Sequence, residues 1–124
     1  MLLVDDEPLV RSSTADMLTD LGYEVIEVSS AEEALRLLDS SRNIDGLITD
    51  HLMPGMTGMQ LARIVGMRPD RIPVLLISGY SDVEGVDTGQ PLLAKPFVQA
   101  DLAASLSDLL NRTEIVSEAM AAVV

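Results

Sequence analysis

Five polar residues stand at or just after the ends of short apolar runs, where they could do chemistry. They comprise three carboxylates, a hydroxyl and an ammonium: Asp5, Asp6, Asp50, Ser78 and Lys95. Three carboxylates brought close together repel one another, and either raised pKa values or a bound cation must offset that repulsion. Oxygen ligands without His or Cys favour a hard ion, Mg²⁺ or Mn²⁺, over zinc.

The other two groups suit an anion. Lys95 supplies a positive point charge, and Ser78 supplies a hydrogen-bond donor. A metal, a cation and a donor around one carboxylate are what phosphoryl transfer needs, because its catalysis is mostly positioning and charge neutralisation. Asp50 would then be the nucleophile and form an acyl phosphate. An Asp after a strand is more often a turn or cap residue, so the hypothesis depends on the joint placement of all five.

Apolar runs that alternate with helical patterns predict the elements that bring these groups together. Five strands are predicted: Leu2–Val4, Glu24–Val28, Gly46–Thr49, Val74–Ser78 and Pro91–Ala94. Apolar residues at three- and four-residue spacing predict the intervening helices and a last helix from about Val98. Such alternation implies one domain with a parallel sheet, helices on both faces and ligands at the carboxyl ends of the strands.

Cap signals mark the helix ends. Gly22 is the expected stop of the first helix. Ser30 with Glu33, and Thr57 with Gln60, have the spacing of capping boxes that begin the next two helices.

Composition excludes several classes of protein. Hydrophobic residues make up 48% and charged residues 23%, which indicates a folded domain rather than a disordered chain. The sequence has no membrane-length apolar run, no signal peptide and no cysteine, so we expect a cytoplasmic protein without disulfides or thiolate metal sites. A net charge of -12 argues against direct nucleic-acid binding and against contact with an anionic membrane.

Four motifs resemble those of a known family: LLVDDEP (2–8), LITDHLMPGMTG (47–58), LLISGYS (75–81) and LAKPF (93–97). In this order and at these separations they resemble the response-regulator receiver domain of two-component signalling, from Leu2 to about Leu110. The resemblance implies a flavodoxin-like, doubly wound, five-stranded parallel α/β sheet in the order 2-1-3-4-5. We expect a receiver domain at 1–111 and a tail or helix extension at 112–124. The residues within the motifs resemble those of receivers in hybrid sensor histidine kinases or of single-domain response regulators.

The same resemblance implies a function. Asp50 would accept a phosphoryl group from a histidine kinase or a phosphotransfer protein in a phosphorelay, with Mg²⁺ (or Mn²⁺) bound. It implies these metal-binding groups: Asp6, Asp50, the backbone carbonyl of Leu52, and Asp5 through water. Ser78 and Lys95 would bind the phosphoryl oxygens, and a cis bond is expected between Lys95 and Pro96. The chain would be a signalling domain, not an enzyme, with only self-phosphorylation and slow self-dephosphorylation.

Three features depart from the family pattern. Leu92 stands where receivers usually have a switch aromatic; Tyr80 either takes over that role or is a packed or surface tyrosine. Only the 16 residues 79–94 separate Ser78 from Lys95, so we expect the fourth helix to be short or missing. The chain begins one residue before the first strand, so either the native start lies upstream or the chain comes from a longer protein.

Three other functions fit the sequence less well. An Asp-nucleophile phosphohydrolase needs an acid/base two residues after the nucleophile, but position 52 is Leu. A pure interaction module ranks last, because all five site residues are present. A flavodoxin-like cofactor binder is disfavoured because Asp5 and Asp6 replace a phosphate-binding loop.

Some suggestive residues have simpler explanations. His51 is expected to be an exposed loop residue rather than a phosphodonor or ligand. Met53, Met56 and Met59 are expected to pack at a helix start. In the tail, Val116, Met120 and Val123 continue the apolar stripe of Leu102, Leu106 and Leu109. The alternatives there are a homodimer contact through the C-terminal helix, a linker to a neighbour, or a frayed tail.

Overall fold

Five strands and four helices make up the part of the chain that the computed structural model describes. It describes residues 1–40, 43–79 and 90–123, with side chains as far as Asn111 in the last helix. The strands are β1 (Leu2–Val4), β2 (Ile26–Val28), β3 (Leu47–Asp50), β4 (Val74–Ser78) and β5 (Leu92–Ala94). The helices are α1 (Pro8–Asp20), α2 (Ala31–Asp39), α3 (Gly58–Gly66) and α4 (Gln99–Val123).

The strands form one parallel sheet in the order β2-β1-β3-β4-β5, as predicted. β1 pairs with β3 through Val4 and Thr49, so the two strands end side by side. The expected short or missing fourth helix and Tyr80 lie outside the described residues. The division into a domain at 1–111 and a tail at 112–124, and the dimer contact through the last helix, stay predictions.

The core lies on both faces of the sheet. Leu2, Val4 and Leu47 pack beneath α2 and α3, whereas Leu3 and Ile48 pack beneath α1 and α4. β1, β3 and β4 are therefore buried on both sides, which explains why their sequences are mostly apolar. On the α3 side, Met53 and Met59 are buried and Met56 packs against them, as predicted. Leu102, Leu106 and Leu109 bury α4 on the opposite face.

One of the two predicted capping boxes is complete. Thr57 Oγ1 accepts from the Gln60 N–H at 3.2 Å, and Gln60 Oε1 accepts from the Thr57 N–H at 2.8 Å. At α2, Ser30 does accept from the Glu33 N–H. The Glu33 carboxylate, however, accepts from the backbone N–H and hydroxyl of Ser29, so the predicted return bond to Ser30 is wrong.

The last turn of α1 ends as expected. Gly22 has φ +98°, a left-handed conformation that a residue with a side chain rarely adopts. Within the described ranges, we find no helix with the length and apolar character required to span a bilayer.

Candidate functional site

The structure brings together the three carboxylates at the carboxyl ends of β1 and β3. One oxygen from each of Asp5, Asp6 and Asp50 lies within 4.8 Å of the others. Asp5 and Asp50 are buried, and Asp6 is partly exposed. The parallel pairing of β1 with β3 is the cause, because it places both strand ends at the same edge of the sheet.

Lys95 meets this cluster from the loop after β5. Its Nζ lies 2.8 Å from Asp50 Oδ1, and its backbone N–H donates to the Ser78 carbonyl at 2.8 Å. The peptide bond between Lys95 and Pro96 is cis, as expected. Burial by itself would lower the pKa of Lys95, but the hydrogen bond and charge of Asp50 outweigh it and raise that pKa. The ammonium therefore stays charged at neutral pH.

Ser78 is fully buried at the end of β4. Its backbone is fixed from both sides, since β4 pairs with β3 through Ile77 and Asp50 and with β5 through Ser78 and Ala94. The hydroxyl donates to the Gly79 carbonyl at 3.3 Å, a long local bond. A hydroxyl held this way is free to rotate toward an anion at the sheet edge.

Asp5 is held at three points. Its N–H donates to the Val28 carbonyl at 3.2 Å, its carbonyl accepts from Arg11 Nη1 at 2.8 Å, and its Oδ1 accepts from the Glu7 N–H at 2.9 Å. Burial is the main cause that raises the pKa of Asp5, and the charge of Asp50 adds to it, although the Glu7 bond and Lys95 oppose the rise.

The donor set fits a hard divalent cation. Three carboxylates offer oxygen ligands at close quarters, with no sulfur or imidazole among them. Burial and the charge of Asp50 together keep the pKa of Asp5 raised although Lys95 lies nearby, so a cation bound at the cluster would favour the ionised carboxylate. Leu52 follows in the loop after β3 and is 56% exposed. The carboxylates of Asp5, Asp6 and Asp50 could therefore hold such a cation together.

His51 does not lie where the sequence predicted. It is buried rather than exposed, and its Nδ1 has no hydrogen-bond partner within the described segments. The reason is that the β3 ladder continues one residue past Asp50: the His51 N–H donates to the Ile77 carbonyl at 2.9 Å. The His51 carbonyl then accepts from the Gly58 N–H at 2.8 Å, which ties α3 to the strand end.

Residues 1–107 match the family described as the response regulator receiver domain. The chain belongs to that family. The predicted resemblance is thereby confirmed, and with it a place in two-component signalling.

Arg11 is a residue that sequence reasoning missed at this receiver's site, because nothing in its type or position on a helix indicates a bond to a backbone carbonyl.

Individual relatives agree with the family. The receiver is 34% identical to response regulator MprA of Mycobacterium bovis over 98% of this chain and 55% of that protein, so it spans about half the length of the curated relatives it matches. A response regulator receiver protein from Sinorhizobium medicae is 36% identical, with a TM-score of 0.79 over 89% of this chain and 92% of that one. The receiver domain from the hybrid histidine kinase CckA is 35% identical, with a TM-score of 0.73 over 88% of this chain and 96% of that one.

Proposed function

We propose that this receiver is a phosphoacceptor switch, in which Asp50 takes a phosphoryl group from a histidine kinase or a phosphotransfer protein in a Mg²⁺-dependent reaction. The main support is the setting of one carboxylate: Asp50 lies 2.8 Å from the Lys95 ammonium and shares a cluster with the oxygens of Asp5 and Asp6. In the step, a bond forms between Asp50 Oδ and phosphorus. The bond from phosphorus to the donor nitrogen breaks, and that nitrogen keeps its electron pair.

Asp5, Asp6, Asp50 and the Leu52 carbonyl are the groups that would hold the metal. When bound, Mg²⁺ supplies charge neutralisation at the transferring phosphoryl oxygens. Lys95 and Ser78 would bind the same oxygens from the ends of the neighbouring strands β5 and β4. Formation of the acyl phosphate removes the carboxylate charge of Asp50 with which Lys95 is paired, so the ammonium turns to the phosphoryl oxygens.

The change at Lys95 couples the site to the loops that follow β4 and β5. The Lys95 N–H donates to the Ser78 carbonyl, so movement of either residue displaces the other. Phosphorylation adds charge and acceptor oxygens that recruit both side chains. The result is a bias between two arrangements of these loops.

Leu52 supports a switch over a phosphohydrolase. It occupies the position at which an Asp-nucleophile phosphohydrolase needs its acid/base, and its apolar side chain transfers no proton. The acyl phosphate should therefore persist long enough to signal, with only slow self-hydrolysis. We propose that the partner is a cytoplasmic histidine kinase or phosphotransfer protein rather than nucleic acid, because the net charge of -12 repels phosphate backbones.

The test is uptake of one phosphoryl group by the whole chain from a small acyl phosphate donor. Intact-mass spectrometry should show the added group with Mg²⁺ and not with a chelator. Peptide mapping should place it within 47–58, and hydroxylamine should remove it, since an acyl phosphate is labile to that nucleophile. A label that forms equally well in chelator, or maps outside this segment, would contradict the proposal.

Asp5→Asn should affect stability in opposite directions with and without metal. Without metal, we expect the variant to melt about 2–5 °C higher, because an ionised carboxylate is no longer buried beside two others. The raised pKa fixes the sign: the favourable contribution of Asp5 is present below its ordinary value of 3.8 and is lost as pH rises through the folded value. The advantage of the variant therefore grows with pH.

With Mg²⁺ the difference in melting temperature between the variant and the wild type should shrink or change sign. The reason is that the wild type gains stability by binding the ion and the variant gains less. Calorimetric melts with and without MgCl₂ measure both effects. Asp16→Asn, on the exposed side of α1, is the matched control and should behave as the wild type. A metal-free Asp5→Asn protein that melts below the wild type would show that the cluster is not strained by its charge.

A further inference from the structure

Arg11 joins α1 to the turn that presents the acidic residues. Its backbone N–H donates to the Glu7 carbonyl at 2.9 Å in the first turn of the helix. Its side chain folds back, and Nη1 donates to the Asp5 carbonyl at 2.8 Å. The side chain is only 20% exposed. Arg11 is thus held in the first turn of the helix by its backbone, and its side chain connects that turn to the residue that follows β1.

The bond to Asp5 restrains a short segment that belongs to neither a strand nor a helix. Only residues 5–7 lie between β1 and α1, and Asp5 and Asp6 are two of them. The Asp5 N–H and Oδ1 are bonded to Val28 and Glu7, so Arg11 supplies the third restraint, on the carbonyl. Without it, the peptide that links Asp5 to Asp6 has no described partner for its oxygen and is free to rotate.

A second contact orients the guanidinium. Arg11 Nε lies 3.5 Å from Glu27 Oε1 on β2, and this nitrogen is buried without a hydrogen bond to any described residue. Glu27 is 44% exposed, and exposed pairs of this kind contribute little to stability. The contact matters instead for orientation, since the guanidinium is held at Nε by Glu27 and at Nη1 by the Asp5 carbonyl.

We propose that Arg11 is a positioning residue, which holds the Asp5–Asp6 turn in the geometry that gathers the carboxylates and thereby sets the affinity for Mg²⁺. This inference rests on the proposed function. Arg11 acts through Asp5 and touches neither the ion nor the phosphoryl group. Its loss should therefore raise the Mg²⁺ concentration needed for half-maximal phosphoryl uptake and leave the maximal rate nearly unchanged. Partners that orient metal ligands have effects of this kind.

The experiment compares three variants of the whole chain by isothermal titration with Mg²⁺ alone. Arg11→Met keeps the aliphatic stem and loses the donors, Arg11→Lys keeps a charged N–H donor group, and Arg36→Met is a control on the exposed side of α2. We expect the dissociation constant to rise about tenfold in Arg11→Met. The dissociation constant should stay within about twofold of the wild-type value in Arg11→Lys, because the Asp5 carbonyl needs only a single N–H donor. It should also stay within about twofold in Arg36→Met, which does not alter the site.

Two results would overturn the role of Arg11: a dissociation constant in Arg11→Met equal to the wild-type value, or one in Arg11→Lys as weak as in Arg11→Met. If circular dichroism shows that Arg11→Met does not fold, Arg11→Gln, whose shorter amide does not reach the carbonyl, takes its place with the same two outcomes. A wild-type protein that binds no Mg²⁺ would remove the proposed function itself. Wild-type binding and uptake with an unaltered Arg11→Met variant would remove only the positioning role.

Discussion

Asp50→Asn is expected to abolish phosphoryl uptake from a small acyl phosphate. The amide has nearly the same shape as the carboxylate but lacks its negative charge and its nucleophilic oxygen. The rate should fall by at least about 10³-fold, the scale of loss when an enzyme nucleophile is removed. Intact-mass spectrometry at saturating Mg²⁺ measures it directly, because each acceptor gains the mass of one phosphoryl group.

Asp45→Asn is the matched control for this variant. Asp45 is exposed and lies two residues before β3, at the end of the strand opposite the site. The same chemical change there should leave uptake at the wild-type level. Full uptake by Asp50→Asn would mean that the acceptor has been misassigned, and peptide mapping would then identify which residue holds the label.

Lys95 gives a second readout of the same substitution. It is the only lysine in the sequence, so labelled lysine gives one side-chain signal by NMR. The hydrogen bond and charge of Asp50 raise the pKa of Lys95 against the opposing effect of burial. Asp50→Asn should therefore lower that pKa. An unchanged titration would show that the 2.8 Å ion pair does not persist in solution.

The sequence was most informative about the centre of the sheet. β1 and β4 have the predicted bounds, because a strand covered on both faces is a nearly continuous apolar run. β3 begins and ends one residue later than predicted, at Leu47 and Asp50. The two edge strands are shorter than predicted: β2 begins at Ile26 rather than Glu24, and β5 at Leu92 rather than Pro91. An edge strand pairs on one side only, so its length depends on how far its single neighbour extends.

The site was predictable where residue type alone is informative. Carboxylates, a lysine and a serine after apolar strands show their chemistry in the sequence, and the parallel topology then places them together. The burial of His51 and the role of Arg11 could not be predicted, because both depend on bonds to backbone carbonyls. Burial of His51 depends on one further backbone bond to Ile77, and the role of Arg11 depends on a backbone carbonyl, and neither partner is distinguished by a side chain.

The other large effect is expected from Gly58→Ala, at the first residue of α3. A β-carbon at Gly58 would overlap the backbone carbonyl oxygen of Asp50 and lie 2.8 Å from Leu76 Cδ1. That carbonyl cannot easily move, since it accepts from Thr49 Oγ1 at 3.0 Å within a strand paired on both sides. We expect the free energy of unfolding to fall by about 1–3 kcal/mol, the usual cost of overpacking a close contact.

The same shift should reach the site, because the residue that must yield is Asp50 itself. Mg²⁺ affinity should therefore weaken in any fraction of Gly58→Ala that folds, as measured by isothermal titration alongside urea unfolding. Gly66→Ala, at the other end of α3, is the matched control, because a β-carbon there meets no atom within 4 Å. It should be unchanged or up to ~1 kcal/mol more stable, since alanine favours helix. Equal stability of the two variants would mean that α3 does not press against the Asp50 backbone, and that this helix plays no part in positioning the carboxylate.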